Sequence, residues 1–113
     1  MTPSIYPKRG EVYWTELDPT RGAEMQKTRP CLVVTTDIVN QRRRTVVIIP
    51  LSTTSPKKFP LYVSLPSLGD GSQAVIDQIR VVDKERVRGL RGRVTEAEMD
   101  RVVEAMKMVF EME

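Results

Sequence analysis

The sequence predicts a mainly β fold with a C-terminal helix (an α+β domain), arranged as a small, strongly bent sheet or partly open barrel of about five strands. Three observations support this prediction. Short apolar or alternating segments recur along residues 10–82 and are separated by turn residues, as is typical of strands. Residues 95–113 instead repeat apolar positions at helical spacing. A length of 113 residues fits a single domain, residues 1–113.

The predicted strands follow one another with short connections. The first alternates between apolar and polar residues, which places Trp14 in the core, and the second is continuously apolar. Pro50 marks an edge or a bulge near the end of the third strand. A long polar loop connects the first strand to the second, and a turn connects the second to the third. A basic loop follows the third strand. The five strands are residues 10–17 (GEVYWTEL), 30–38 (PCLVVTTDI), 45–53 (TVVIIPLST), 61–65 (LYVSL) and 73–82 (QAVIDQIRVV).

Two helices are predicted after the strands. Residues 83–90 (DKERVRGL) indicate a short helix with Asp83 as its N-cap. In residues 95–113, Thr95 and Glu98 match the T-x-x-E capping box that opens many helices. The apolar residues of this second helix share one face, so it is expected to pack on the sheet or on a second subunit. They are Met99, Val102, Val103, Met106, Val109 and Phe110.

Composition and charge narrow the classes of function. No apolar run approaches the roughly 20 residues of a transmembrane helix, and the start lacks a signal-peptide pattern, so a cytoplasmic protein without a membrane partner is expected. The net charge is +3, but residues 1–94 carry 16 basic and 9 acidic side chains, and residues 95–113 carry 2 and 6. A basic body favours a polyanionic partner, above all nucleic acid; a plain solvated basic surface is the alternative.

The chain has no histidine and a single cysteine, Cys31. One cysteine cannot form an internal disulfide, and without histidine the thiol lacks its usual activating base. We therefore interpret Cys31, which opens an apolar strand, as a small buried apolar residue. The carboxylates are scattered without metal-ligand spacing, so neither a metal site nor a cofactor is predicted.

Three stretches carry a family resemblance: RGEVYWTELDPTRGAEMQKTRPCLVVT (residues 9–35), VVIIPLST (46–53) and IDQIRVVDKER (76–86). In this order, and with matching gaps, they resemble the MazF/PemK/Kid family of toxin endoribonucleases over nearly the whole chain. The resemblance implies an SH3-like barrel of the CcdB/Kid kind and a homodimer. It also implies sequence-specific, metal-independent cleavage of single-stranded RNA, and neutralisation by a cognate antitoxin with an acidic disordered segment.

The resemblance further implies a catalytic pair, Arg29 and Ser52. Metal-free cleavage uses the RNA 2′-hydroxyl as nucleophile, which leaves a 2′,3′-cyclic phosphate, and it needs a proton acceptor, charge stabilisation and a proton for the leaving oxygen. A guanidinium can bridge two phosphate oxygens, and Pro30 restrains Arg29 to extended backbone. Because a guanidinium stays protonated, Arg29 is expected to stabilise charge, and proton donation by it is a hypothesis. A surface ion pair is the structural alternative.

Asp77 lies where branches of the family place an acidic catalytic residue. It could take the proton of the 2′-hydroxyl, or it could be a structural partner of Arg80 or Arg29. Ala23 and Val75 stand where the Kid-like branch has a histidine and an arginine. These departures favour the arginine–serine arrangement over an aspartate–arginine one.

RNA contacts are expected from the loops and strand ends around these residues. Phosphate contacts set the affinity, whereas unpaired bases are read by stacking and by edge contacts. Phe59 is the expected stacking residue, Glu24 is expected to order its loop, and Arg42–Arg44 serve either solubility or RNA contact. The candidate RNA-binding residues are Arg21, Glu24, Lys27, Thr53, Lys57, Lys58, Phe59 and Gln78.

Two other functions are compatible with the same fold. A non-catalytic gyrase poison of the CcdB kind would use C-terminal residues, but this chain ends in an acidic Glu-Met-Glu without the expected aromatic residue. A basic SH3-like module that only binds nucleic acid would keep the charge without needing Arg29 and Ser52 together.

Overall fold

The computed structural model describes residues 6–17, 22–25 and 27–113. Seven antiparallel strands form one sheet that does not close, and two α-helices accompany it. The mainly β prediction is thus confirmed, with seven strands in place of about five. The strands are β1 (Glu11–Glu16), β2 (Thr28–Val33), β3 (Thr45–Ser52), β4 (Tyr62–Ser64), β5 (Gln73–Val75), β6 (Arg80–Asp83) and β7 (Val87–Arg93), and the helices are α1 (Asp37–Arg42) and α2 (Glu96–Val109).

The strand β3 organises the sheet, whose order is β4-β5-β3-β2-β1-β7 with β6 also paired to β3. One edge of β3 pairs with β2. The other edge pairs with β6 from Thr45 to Ile48 and with β5 at Leu51 and Ser52. Pro50 lies in the interruption between these two partners, where the missing N–H of a proline is tolerated. The change of partner brings the end of β3 beside β5 and the turn that follows it.

Alternating residues of β2 and β3 contribute side chains to two apolar clusters, one on each face of the sheet. Leu32 and Ile49 belong to the cluster that α2 covers, through buried side chains such as Val102. Cys31 and Ile48 belong to the other cluster. Burial on both faces explains why these strands read as continuous apolar runs rather than as alternating ones.

Three predicted elements were wrong in detail. Residues 73–82 are not one strand, because a 3₁₀ turn at Ile76–Gln78 separates β5 from β6. Residues 39–44 are not a simple turn, since α1 continues to Arg42.

The predicted helix at 83–90 is a single 3₁₀ turn, Lys84–Arg86, followed by β7. Asp83 does cap this turn, because its Oδ1 accepts a hydrogen bond from the Glu85 N–H at 2.8 Å. The chain then pairs with the edge of β1. This pairing gives hydrogen-bond partners to backbone N–H and C=O groups that would lack partners in a short isolated helix.

Trp14 was wrongly predicted to lie in the core, since 43% of it is exposed. It pairs across the sheet with Pro30, while Val12 and Thr15 on the same strand are fully buried. The register of β1 against β7 shifts on both sides of Tyr13, so simple alternation does not apply at this point of the strand.

The capping box of α2 is confirmed. The Thr95 side chain accepts a hydrogen bond from the Glu98 N–H at 3.1 Å, and the Glu98 carboxylate accepts one from the Thr95 N–H at 2.8 Å. Met99, Val102 and Ala105 are buried against the sheet. In the described part of the chain, no helix has the length and apolarity needed to cross a bilayer.

Candidate active site

A cavity of about 250 Å³ opens at the end of β3. Ser52 reaches it from that strand, Asp77 and Gln78 from the Ile76–Gln78 turn, and Lys57 from the basic loop. The cavity thus joins four separate parts of the sequence, at residues 23–25, 52–57, 62 and 75–78. Its lining residues are Ala23, Met25, Ser52, Thr54, Lys57, Tyr62, Val75, Asp77 and Gln78.

The Ser52 hydroxyl is fixed in position. Only 8% of Ser52 is exposed. Its Oγ donates to the Thr54 Oγ1 at 3.2 Å and accepts from the Thr54 N–H at 3.3 Å. The hydroxyl is therefore held at the strand end by the first residues of the loop that follows.

Arg29 is half-buried on β2 and is not among the cavity-lining residues. The β2–β3 pairing ends at Cys31 and Pro50. If the same register were continued by two residues, Arg29 would lie across from Ser52. Strand alternation puts both residues on the face of Cys31 and Pro50. The extrapolated register is thus compatible with the arginine–serine pair, although Arg29 does not line the cavity.

Two guanidinium groups act on the buried thiol of Cys31. Burial raises the pKa of Cys31 to about 12, against the opposing effects of a hydrogen bond with Thr15 and the positive charges of Arg80 and Arg29. The thiol is therefore neutral at physiological pH and not a nucleophile, as the sequence predicted. The same result places Arg29 and Arg80 within electrostatic reach of one buried atom.

Gln78 ties the loop before β2 to the cavity. Its Oε1 accepts hydrogen bonds from the Met25 N–H at 3.2 Å and from the Arg80 Nη2 at 3.1 Å. The Arg80 Nε also donates to the Gln78 backbone carbonyl at 3.3 Å. Arg80 thus bonds to Gln78, whereas the sequence had offered it as a partner for Asp77. Gln78 was predicted to contact RNA, and its amide oxygen is engaged within the protein.

Gln73 was missed by the sequence analysis. It is 4% exposed, and its side chain makes three hydrogen bonds with the backbone of the basic loop. Its Nε2 donates to the carbonyls of Thr54 (3.1 Å) and Ser55 (3.3 Å), and its Oε1 accepts from the Lys57 N–H at 2.9 Å. A single glutamine at the start of an apolar strand gives no periodic signal, so only the fold reveals this role.

Tyr62 is the aromatic side chain that lines the cavity, and the Lys57 Nζ lies 5.9 Å from its ring centroid. The predicted stacking residue, Phe59, lies elsewhere. Its ring packs against the core cluster, and the guanidinium carbon of Arg101 lies 4.6 Å from the ring centroid. Lys58 does not line the cavity, and its carbonyl accepts the Tyr62 N–H at 3.1 Å.

The other candidates lie around the cavity or outside the described residues. Glu24, Lys27 and Thr53 are exposed and do not line it. Arg21 falls outside the described residues. Among residues 6–17, 22–25 and 27–113, no group of three His, Cys, Asp or Glu side chains is arranged to hold a metal ion.

Chemically, the cavity combines a fixed hydroxyl, a carboxylate and an ammonium group. A carboxylate can accept a proton, while the hydroxyl and the ammonium can donate hydrogen bonds to a phosphate. These are the groups that a phosphodiester transfer would use.

Comparison with known proteins gives a consistent result. Residues 8–110 match the family model described as "PemK-like, MazF-like toxin of type II toxin-antitoxin system". The chain is 34% identical to endoribonuclease MazF9 of Mycobacterium tuberculosis over 110 residues, covering 89% of this chain and 93% of that protein. It is 32% identical to endoribonuclease EndoA of Bacillus subtilis over 106 residues, covering 89% and 91%.

Solved structures are similar as well. A mycobacterial endoribonuclease in complex with its cognate antitoxin superposes with a TM-score of 0.80 at 26% identity, covering 95% of this chain and 97% of that chain. MazF from Deinococcus radiodurans superposes with a TM-score of 0.85 at 22% identity, covering 96% and 100%, which supports the fold.

Proposed function

The chain belongs to the family of PemK-like, MazF-like toxins of type II toxin–antitoxin systems, and from that premise we propose that it is a sequence-specific, metal-independent endoribonuclease toxin that cleaves single-stranded RNA. The observation that carries the proposal is the meeting of Ser52, Asp77 and Lys57 in one cavity. A module that only binds RNA would not need a buried hydroxyl and a carboxylate at the same place.

The proposed reaction is an internal transfer. The 2′-oxygen attacks the adjacent phosphorus, Asp77 takes the 2′ proton, and the bond from phosphorus to the 5′-oxygen breaks. The products are a 2′,3′-cyclic phosphate and a 5′-hydroxyl, once the leaving oxygen has gained a proton. Ser52 positions the phosphate or the 2′-hydroxyl through its oriented Oγ, whose present bonds to Thr54 it can exchange for bonds to substrate.

Cationic groups stabilise the charge of the phosphorane. The fork of Arg29 can hold two non-bridging oxygens, and Lys57 contributes a point charge from the opposite loop. Charge stabilisation of this kind is worth about 10² to 10³ in kcat for one donor. Proton donation from Arg29 to the leaving oxygen stays a hypothesis, because a guanidinium is a very weak acid.

Base recognition is proposed to use Tyr62, whose ring lines the cavity, in place of Phe59. Stacking on an aromatic ring favours unpaired bases, which agrees with a single-stranded substrate. Lys27, Lys58, Thr53 and Arg21 are proposed to contact the strand on either side, and Glu24 and Gln78 to order the loop before β2.

The proposed partners follow from the family. A similar mycobacterial endoribonuclease is known in complex with its cognate antitoxin, and the basic body of this chain suits an acidic, disordered antitoxin segment. A homodimer and a cytoplasmic location are proposed on the same basis.

The decisive experiment incubates the protein with a long single-stranded RNA in EDTA, with Arg29→Ala alongside, and maps cut positions and end groups. We expect discrete cuts with 2′,3′-cyclic phosphate and 5′-hydroxyl ends, all lost in the variant. Cleavage that needs an added divalent metal would contradict metal independence. If folded protein cuts no RNA, the endoribonuclease proposal fails, and a DNA gyrase assay then tests the poison alternative.

A further inference from the structure

Two further depressions lie along β6 beyond the cavity, and we call this row of three depressions the trough. Gln78 lines the cavity, and its amide oxygen bonds to Arg80, which lines a second depression of about 340 Å³. Asp83 lines this second depression and also a third one of about 350 Å³. The three depressions therefore follow consecutive residues of the chain from Asp77 to Glu85.

The far end of the trough is basic. Arg42, Arg43, Arg44 and Lys84 line the third depression together with Asp83 and Glu85. The three arginines are exposed. The carboxylate of Asp83 is partly engaged, because it accepts the Glu85 N–H at 2.8 Å. Four cations against two carboxylates leave an excess of positive charge at this end.

The middle of the trough is close to neutral. Arg80 and Arg86 face the carboxylates of Glu16, Glu24 and Asp83, and Glu16 is itself paired with Arg88 at 2.9 Å. Val81 lies between them with 62% of its surface exposed. A neutral, partly apolar floor suits the bases of a nucleic acid strand better than its phosphates, whereas the basic end suits phosphates.

The spacing fits one RNA strand. Thr45, at the basic end of β3, pairs with Asp83, and Ser52 lies at the other end of the same strand. Seven residue steps at about 3.3 Å each give a separation of about 23 Å. At the roughly 3.4 Å rise of a stacked strand this corresponds to about seven nucleotides, and to fewer if the strand is extended.

We propose that Arg42–Arg44 and Lys84 form a second phosphate-binding site, which holds the flank of the same RNA strand that is cut at Ser52. This inference rests on the proposed ribonuclease function. RNA is favoured over an acidic peptide because the depressions follow the chain from the cavity to the basic end, at a distance that one RNA strand can span. A strand held for cleavage would reach the basic end, and a second contact on a tethered strand forms at high effective concentration.

The test compares two RNAs that share one cleavage motif, a 5-nucleotide and a 25-nucleotide single strand. The variant Arg42→Gln/Arg43→Gln removes two exposed charges and leaves Arg44, whose carbonyl accepts the Lys84 N–H at 2.9 Å. A matched control, Arg93→Gln/Lys107→Gln, removes two exposed charges from β7 and α2. Kinetics are measured at several salt concentrations.

For the long RNA we expect the test variant to raise KM about tenfold, and to lower the slope of log KM against log salt by about two. Neither kcat nor the kinetics on the short RNA should change, and the control should match the unmodified protein. Equal losses on both RNAs, or no loss on the long one, would overturn the inference.

Two further outcomes separate the alternatives. If the unmodified protein cleaves neither RNA, the proposed function itself fails. If the variant loses binding to poly-glutamate while its kinetics on long RNA stay unchanged, the basic end serves an acidic peptide and the RNA site is refuted.

Discussion

Lys27 has a backbone φ of +69°, in the left-handed region that glycine occupies freely. An L-residue pays roughly 1–2 kcal/mol for this conformation. The residue lies two positions before Arg29, and its carbonyl accepts the Leu17 N–H at 2.9 Å, which closes the hairpin of β1 and β2. A strained lysine here suggests that its charge is useful beside the candidate site.

Lys27→Gly should therefore stabilise the fold while weakening RNA binding. Relief of the left-handed backbone outweighs the extra chain entropy of glycine, so the free energy of unfolding should rise by about 0.5–1 kcal/mol. Urea denaturation measures this effect. Lys27→Ala is the control: it removes the same charge, keeps the strain, and should weaken RNA binding equally without stabilising. A destabilised glycine variant would show that the lysine side chain contributes more than the strain costs.

At this scale the sequence predicted some positions and missed others for physical reasons. Ser52 and Asp77 were proposed through the resemblance, and both line one cavity, while their catalytic roles stay predictions. Gln73 was missed because its importance comes from contacts with a loop almost twenty residues away in the chain, which no local pattern encodes. Phe59 was misplaced because a basic loop suggested exposure, whereas its ring packs against the core.

The loop from Thr54 to Lys57 depends on β5. Gln73 satisfies three backbone groups of that loop, and Thr54 in turn fixes the Ser52 hydroxyl. The position of the Ser52 hydroxyl thus depends on a buried glutamine that does not itself line the cavity. Gln73 is a positioning residue in this arrangement.

Gln73→Met, which is close in volume and apolar, should lower kcat about tenfold or more, since small misplacements of reacting groups are costly. KM should change less, because the cationic side chains remain. Separate measurement of kcat and KM, together with the melting temperature, distinguishes misplacement from unfolding. Gln73→Glu keeps the acceptor for the Lys57 N–H but replaces the donor to the Thr54 and Ser55 carbonyls by an acceptor, so at neutral pH it should lose as much kcat as the methionine variant. Unchanged kcat in the methionine variant would refute the positioning role.

The start of α2 is held by Glu98, whose carboxylate accepts hydrogen bonds from both Ser67 and Thr95. Burial alone would raise the pKa of Glu98, but these hydrogen bonds outweigh it and lower the pKa below the usual 4.5. A carboxyl with a lowered folded-state pKa adds stability above its unfolded pKa, and this stability is lost as the pH falls through the folded pKa.

Glu98→Gln should accordingly cost about 1–2 kcal/mol near neutral pH, because one acceptor of the cap is lost. The penalty should shrink as the pH falls below 4.5, the usual pKa of an unfolded glutamate, and should be smallest below the lower folded-state pKa, where the native carboxylate is protonated. Denaturation curves from pH 3 to pH 7 test this. Asp70, whose pKa is also lowered, should keep part of the acid dependence in the variant. A penalty that is constant with pH would argue against the role assigned to the carboxylate.

The boundaries of helices and strands show which parts of the fold a local sequence pattern can predict and which it cannot. The capping box of α2 is a local signal and was predicted correctly. The segment at 83–90 has an N-cap and charged helix-forming residues, yet its second half belongs to the strand β7, which pairs with the edge of β1. The division of residues 73–82 into β5 and β6 depends on β3 changing partners at Pro50, which is a tertiary event. Strand pairing decided these elements, and pairing partners cannot be read from one segment.

Over the whole molecule, basic and acidic side chains are concentrated in different parts of the fold. The excess of basic side chains lies in residues 1–94, and the acidic excess in residues 95–113, which include α2. Because α2 packs on the core cluster of one sheet face, the sheet rather than the helix carries the surface suited to RNA. The cations at the end of the trough, Arg42, Arg43, Arg44 and Lys84, belong to the basic part of the chain.

The family resemblance predicts that two copies associate. The single chain leaves apolar side chains exposed on β7 and after α2, including Leu90 at 59% and Met112 at 53%, and burial of such groups favours association. Static light scattering across a concentration series should give a mass of twice 12.9 kDa. A mass of a single chain at every concentration would exclude the dimer.

Trp14 is the single tryptophan of the chain. Its side chain is partly exposed to solvent, and it pairs across the sheet with Pro30, the residue that follows Arg29. Its emission therefore comes from one known place on the hairpin that carries the arginine, and it changes when neighbouring molecules displace solvent there. The native protein thus contains its own optical reporter, with which RNA, antitoxin or a second copy can be titrated without any attached dye.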